Sequence, residues 1–262
     1  MRRIKLVIAY DGTNYSGWQE QENAVTVGGT VRSALNDLLE KDVELIGASR
    51  TDAGVHAEGN VAVFDTVSQI PGEKFAYALN ARLPEDIKVL QSEEVSDNFH
   101  PRYTSSHKTY VYQILNTRIP IPTLTRYMHH LYEDIDINLM QQAEDIFIGE
   151  HDYSAFCSAG AQVKSKVRTI ESLRVTEEAL GEPKSLTKSP ISGRIVRIEV
   201  TGTGFLYNMV RIIAGTLIEI GLNRREISTV EQALITGDRC LAGPTAPAKG
   251  LTLKKIVYDT DQ

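Results

Sequence analysis

The sequence predicts an α+β fold. Three observations lead there: strand-like and helix-like segments alternate along the chain, several strands are joined by short turns, and each half contains a strand, a helix and a loop rich in small residues. The last observation predicts two related lobes, residues 1–102 and 103–262, each with a mixed or antiparallel sheet flanked by helices, and an active-site cleft between them.

The elements follow in order. Residues 4 to 10, IKLVIAY, read as a strand from their β-branched and aromatic content, ended by the turn dipeptide Asp11-Gly12. Thr26 then caps a helix whose Val27, Val31, Ala34, Leu35, Leu38 and Leu39 share one face, with Gly28 and Gly29 weakening its first turn. A strand around Val43 to Ile46 leads into the small-residue segment GASRTDAGVHAEG, and VAVF at 61 to 64 resumes extended structure beyond it. In TYVYQIL from Thr109, alternation puts Tyr110, Tyr112 and Ile114 on one face of a strand and Val111 and Leu115 on the other. Helices are expected from about Asn138 to Ile148 and from Leu206 to Ile220, with a strand at Arg194 to Val200 just before the second. Leu206, Met209, Val210, Ile213, Ala214, Leu217 and Ile218 keep the helical repeat, and Arg211 borders their stripe, able to lay its stem over the core and deliver its guanidinium to a neighbour. Residues 181 to 193 have the composition of a mobile surface loop.

Composition narrows the class. With 262 residues, 42% of them hydrophobic, the chain can bury a sizeable core. The uninterrupted apolar run before Asp11, LVIAY at 6 to 10, is about five residues, short of the roughly 7–15 in a signal peptide's apolar region. The apolar stretch 206 to 220 is interrupted by Arg211 and Glu219, unlike a membrane span of roughly 18 uncharged residues. A soluble, cytoplasmic protein is expected. Cys157 and Cys240 have no Cys or His at metal-ligand spacing, so neither a zinc site nor a disulfide framework is predicted, and both read as buried or bland thiols. The net charge of −6 hides two basic segments. From Asn98 to His130 there is no acid, but Arg102, Lys108, Arg118 and Arg126 are present; from Pro183 to Leu217 there are five cations against Glu199 alone. Such clusters are solvated faces or nucleic-acid contacts.

The segment Ser49-Arg50-Thr51-Asp52-Ala53-Gly54-Val55-His56 places a carboxylate in a small-residue turn directly after a strand. Small residues let a large planar ligand approach the backbone. Asp52 could equally form an Asx-type turn with Gly54.

RTDAGVHA at 50 to 57 resembles the signature around the catalytic aspartate of the tRNA pseudouridine synthase A family. The resemblance runs the whole length: YDGTNYSGWQ at 10 to 19, NARLPEDI at 80 to 87, FHPRYTSSHKTYVY at 99 to 112, GTGFLYNMVRIIAGTL at 202 to 217 and APAKGLTL at 246 to 253 look like family blocks in family order. The resemblance implies the pseudouridine synthase fold and a reaction that breaks the glycosidic bond of a uridine, turns the uracil and rejoins it to ribose through C5, without metal or cofactor. Asp52 would attack C1′ or remove the 2′ proton, and the residues are compatible with both routes. Arg211 corresponds to the arginine that keeps that carboxylate ionised, an arginine within a few ångströms typically lowering a carboxylate pKa by roughly 1–3 units. Tyr110 matches the tyrosine that stacks on the target base and can also place its hydroxyl near C5. Arg50 would enter the space left by the extruded nucleotide or contact phosphate. His56 has no acid–base role in the family and reads as structural or RNA-facing.

Phosphate contacts are expected from Arg102, Lys108, Lys164, Lys166 and Arg168. Family resemblance further implies tRNA as partner, at anticodon stem-loop positions 38, 39 and 40, and a homodimer holding one tRNA across both subunits, so that a dimer could assemble a positive surface from an acidic chain. The sequence departs from the family at Glu20, where a basic residue is frequent after GWQ, and at Gly28, usually glutamine. Both departures bear on substrate choice. The alternative is a catalytically silent or substrate-shifted paralogue acting as an RNA-binding module. A glycoside hydrolase would need a second carboxylate beside Asp52, and the Gly202-Thr203-Gly204 fragment lacks the third glycine of a dinucleotide fingerprint.

Overall fold

The computed structural model describes residues 1–160, 163–180 and 192–259. The loop expected over 181–193 therefore lies, from 181 to 191, outside the described residues. Two compact units form, one from residues 1–108 with 252–262 and one from 109–251.

In the first unit, β1 (Arg2–Tyr10) pairs antiparallel with β3 (His56–Thr66) on one side and with β4 (Ile87–Val95) on the other. The short β2 (Ile46–Gly47) pairs antiparallel with β3, and β10 (Leu251–Tyr258) returns from the far end of the chain to pair parallel with β3, Thr252 opposite His56. The order is β4-β1-β3-β10. α1 (Val27–Leu39) and α2 (Phe75–Asn80) cover this sheet's apolar residues. Ile4, Leu6, Ile8, Leu35, Phe75 and Leu79 are fully buried, with Phe64 edge-on to Phe75 at 5.2 Å. The expected Thr26 cap is in place: its Oγ1 accepts from the Gly29 N–H at 3.2 Å.

Two expectations here shift. The strand predicted from Val43 begins only at Ile46, because the Val43 N–H donates to the Asn36 side chain at 2.9 Å and Asp42 accepts from Asn36 and Arg32, which holds this stretch to α1 instead of the sheet. β3, in turn, starts at His56, five residues earlier than VAVF, because Tyr10 of β1 and Thr252 of β10 already pair with its first residues. The small-residue connection shrinks to 48–55.

In the second unit the order is β5 (Ser106–Asn116), β9 (Gly193–Gly202), β8 (Val167–Leu180) and β7 (Gly149–Asp152), the last three antiparallel, with β6 (His129–Leu131) parallel to β5. The helices are α3 (Pro122–Thr125), α4 (Ile137–Gln142), α5 (Met209–Gly221) and α6 (Ser228–Thr236). α4 is shorter than the helix expected to Ile148 and is followed by a single tight turn at Asp145–Phe147; Gln141 and Glu144 turn their side chains to the backbone of Val175 in β8. α5 begins at Met209, not Leu206, since Asn208 sits at φ 61 and cannot extend the helix backwards. Eleven of its thirteen residues are buried, a helix enclosed nearly all round and not a surface stripe. Segment 243–246 presses on it: a Cβ on Gly215 would lie 1.9 Å from the Pro244 carbonyl oxygen. Both units combine a mixed sheet with flanking helices, the α+β architecture expected. No helix among the described residues is long and apolar enough to cross a membrane.

Candidate active site

The connection 48–55 carries Asp52 between β2 and β3, and segment 10–18 wraps over it. The Trp18 N–H donates to the Thr51 carbonyl at 3.1 Å, and the Gly54 N–H to the Tyr15 carbonyl at 3.2 Å. The Tyr10 and Thr51 hydroxyls share a buried hydrogen bond of 2.7 Å. The Asn60 amide reaches both the Tyr10 hydroxyl (3.2 Å) and the Ser49 carbonyl (3.1 Å). This approach requires glycine. A Cβ on Gly12 would stand 2.0 Å from the Val55 oxygen, and one on Gly17, at φ +86, would stand 2.5 Å from the Thr51 oxygen. Thr51 and Val55 are buried by this clamp, Asp52 is half-buried and Ala53 is exposed. The Val55 N–H bonds back to the Asp52 carbonyl at 3.1 Å, and Gly54 takes φ 76, so the turn closes through its backbone.

His56 is buried at 4% exposure. Its Nδ1 accepts from the Gly12 N–H at 3.0 Å and lies 3.2 Å from an Asp11 carboxylate oxygen. The ring thus belongs to the packing that holds segment 10–18 against the loop.

Three of the expected cations meet beside this loop. Arg102 Nε donates to the Gly47 carbonyl at 2.8 Å and Lys108 Nζ to the Ala48 carbonyl at 3.2 Å. The guanidinium of Arg102 is held below its ordinary pKa range, first by desolvation and then by the charge of Arg50, which places Arg50 within electrostatic reach. Among the described residues neither Arg50 nor Arg102 is in an ion pair with a carboxylate. Two guanidinium groups brought together without an ion pair to either are suited to an anion.

The second unit supplies a different set. Tyr110, 7% exposed on β5, meets Phe205 edge-on at 5.2 Å. Tyr112 is fully buried, its hydroxyl donating to the Pro247 carbonyl at 3.0 Å, and burial pushes that phenol above its ordinary pKa. Half-buried Arg211 stands in the first turn of α5, with Nε donating to the Ala246 carbonyl (2.8 Å) and Nη1 to the Asn208 Oδ1 (2.7 Å). Asn208 also donates to Ser158 Oγ at 2.9 Å. Arg168 bonds the Ser165 and Val167 carbonyls and lies against Gly204, desolvation lowering its guanidinium, while Lys166 is half-buried and Lys164 exposed. The 202–205 turn thereby has Arg168 at Gly204 and Tyr110 at Phe205.

The departures at Glu20 and Gly28 also find places. Glu20 is bidentate to Arg32, whose guanidinium also holds Asp42. Gly28 lies so near Trp18 that a Cβ would be 2.5 Å from its carbonyl oxygen. Among the described residues no group of three or more His, Cys, Asp or Glu could hold a metal. Cys157 is buried and Cys240 exposed, both as free thiols.

Sequence reasoning missed Tyr10, Thr51 and Asn60 as the frame of the Asp52 loop, and Asn208 as the partner of Arg211. Gly12 and Gly17 hinted at the first and an asparagine just before a helix at the second; Asn60, mid-strand among apolar residues, was the remaining signal.

A carboxylate on a clamped loop can act as nucleophile or base, and adjacent cations can hold a polyanion. Comparison with known proteins bears on which. A family model described as tRNA pseudouridine synthase matches residues 6–104 and 143–259. The tRNA pseudouridine synthase A 2 of Clostridium tetani is 47% identical over 260 residues, 98% of this chain and 99% of that protein. The tRNA pseudouridine synthase A of Acetivibrio thermocellus is 46% identical over 258 residues, 98% of this chain and all of that one. Among solved structures, a chain from the structure of an H/ACA RNP bound to a substrate RNA containing 2′-deoxyuridine aligns with 95% of this chain and 45% of its own length, at 11% identity and a TM-score of 0.30, a likeness too slight to carry an argument.

Proposed function

The chain belongs to the tRNA pseudouridine synthase family, and from that premise we propose that Asp52 is the carboxylate with which it isomerises uridine to pseudouridine in tRNA. The reaction class is an intramolecular transfer: the C1′–N1 bond breaks, the base turns, C1′ bonds to C5, the C5 proton leaves and N1 gains one. Asp52 either attacks C1′ or takes the 2′ proton. Tyr110 serves the target base through its ring, Arg211 keeps the carboxylate charged, and Arg50, Arg102 and Lys108 receive phosphates, with Lys164, Lys166 and Arg168 as a second group of contacts.

The observation that carries the reading is the clamped turn at 48–55, which holds a half-buried carboxylate next to Arg50 and Arg102, neither of them in an ion pair among the described residues. A fixed nucleophile removes the entropy of finding the attack geometry. The same reading takes the anticodon stem-loop as target, positions 38, 39 and 40, and a cytoplasmic homodimer as the working form. Support for these comes from the family motifs, and for the dimer also from a net charge of −6 on a chain whose cations are gathered in patches.

The test uses unmodified tRNA tritiated at uridine C5, with wild type and Asp52→Asn. The wild type should release tritium and the variant should bind tRNA without release. Release by both would remove Asp52 from the chemistry. Binding without release by the wild type would leave an RNA-binding module.

A further inference from the structure

We propose that Tyr103, stacked on His100 and flanked by Arg102, is a platform for an unpaired base of the RNA substrate. The proposal rests on the function given above and adds a contact outside the chemistry.

Tyr103 is 83% exposed. A single exposed aromatic is ordinary, but this ring is already stacked, its centroid 4.2 Å from that of His100 at an interplanar angle of 25°. The imidazole is oriented by its Nδ1, which accepts from the Arg102 N–H at 3.1 Å. The turn that carries both rings is closed by the Tyr103 and Thr104 N–H groups on the His100 carbonyl, and by the His100 N–H on Thr104 Oγ1. It is anchored from beneath: Phe99 is buried edge-on against Tyr258 at 4.8 Å, the Tyr258 hydroxyl donates to the Pro101 carbonyl at 2.9 Å, and Arg3 donates to the Phe99 carbonyl at 2.9 Å. An aromatic surface is thus held open to solvent by a rigid support, so a ligand that stacks there orders nothing new.

Charge selects the ligand. Arg102 reaches from this turn to the Gly47 carbonyl, five positions before Asp52, and feels the charge of Arg50. No acid occurs from residue 98 to 130. An aromatic face with a cation on its flank, in a segment that carries no acid from residue 98 to 130, matches a base whose neighbouring phosphates need neutralising. The base must be unpaired, since in a duplex its faces are already stacked.

The experiment compares wild type, Tyr103→Ala and Tyr103→Phe for tRNA affinity and for the single-turnover rate at saturating tRNA. Tyr103→Ala should weaken binding roughly 5- to 100-fold, Tyr103→Phe should bind like wild type, and the saturated rate should not change. The chain's one tryptophan, Trp18, is 4% exposed, so Tyr103→Trp adds a solvent-exposed reporter whose emission should be quenched by tRNA. Unchanged affinity for Tyr103→Ala together with unquenched Tyr103→Trp would overturn the platform while leaving the synthase reading intact. Unchanged affinity with a shift in oligomeric state would make the ring a subunit contact, also overturning it. A wild type that neither binds nor modifies tRNA would remove both readings at once.

Discussion

The hydroxyls of Tyr10 and Thr51 lie 2.7 Å apart in a buried hydrogen bond that ties the end of β1 to the residue immediately before Asp52. Asn60 donates into the same tyrosine oxygen from β3. The carboxylate is therefore positioned by polar groups of the sheet as well as by its own turn. Tyr10→Phe leaves Thr51 and Asn60 short of a partner, which should cost about 1–3 kcal/mol. Calorimetry should show a melting temperature lower by about 2–4 °C for each kcal/mol, and tritium release should slow with tRNA affinity unchanged. A lower melting temperature with a wild-type rate would confine the bond to a stability role.

Gly17 and Gly160 form a matched pair. Both have left-handed backbones, φ +86 and +88, but a Cβ on Gly17 meets the Thr51 oxygen at 2.5 Å whereas one on Gly160 meets nothing within 4 Å. Gly160→Ala should lose only the backbone cost of about 1–2 kcal/mol. Gly17→Ala should lose roughly 1–3 kcal/mol more from overpacking and should reduce activity. Equal losses in urea titrations would show that segment 10–18 yields without strain.

Asn208 combines a backbone at φ 61 with two side-chain bonds, to Arg211 and Ser158. Asn208→Gly keeps the backbone free and removes both bonds; Asn208→Ala also adds about 1–2 kcal/mol of left-handed strain. Stability should fall in the order wild type, glycine, alanine. Activity should fall in both, and by less in Ser158→Ala, which leaves the Arg211 contact intact.

The cations beside the Asp52 loop should be read in a salt titration. If Arg50, Arg102 and Lys108 each meet a phosphate, single changes to glutamine should each reduce the slope of log affinity against log salt by about 0.7–0.9. A lower affinity with an unchanged slope would mean that Arg102 and Lys108 act only through the Gly47 and Ala48 carbonyls they hold.

His129 predicts a pH dependence. Burial first, then the charges of Lys249 and His130, hold its pKa below the ordinary 6.5. The unfolded chain therefore takes up a proton at a higher pH than the folded one, so stability falls as pH drops through about 6.5 and continues to fall until the folded imidazole titrates. Denaturation between pH 8 and pH 5 should show this decline, and His129→Asn should flatten it. An unchanged profile in the variant would assign the decline to other groups.

Local signals served well where neighbours in the chain decide the outcome. β1, the Thr26-capped α1, the tyrosine strand β5, β9 and the body of α5 were all legible, since alternation, helical repeat and a capping hydroxyl act over a few residues. The same holds for the segment that carries Asp52, whose small residues and preceding strand mark it. β8 gave no clear signal because its long exposed run is polar, and β10 could not be placed from sequence, because its parallel partner lies some two hundred positions away.

Sequence by itself thus determined the α+β class, the family and the place in the chain of the carboxylate proposed to react. Tertiary structure alone decided what holds that carboxylate and what surrounds it: Tyr10 bonds Thr51 across 41 positions and Arg102 bonds Gly47 across 55. The physical reason is that hydrogen bonds and charge proximity between distant segments depend on strand register and chain return, which periodicity cannot report. It is the fold that makes Gly12 and Gly17 obligatory and brings Arg50, Arg102 and Lys108 to one edge of a loop.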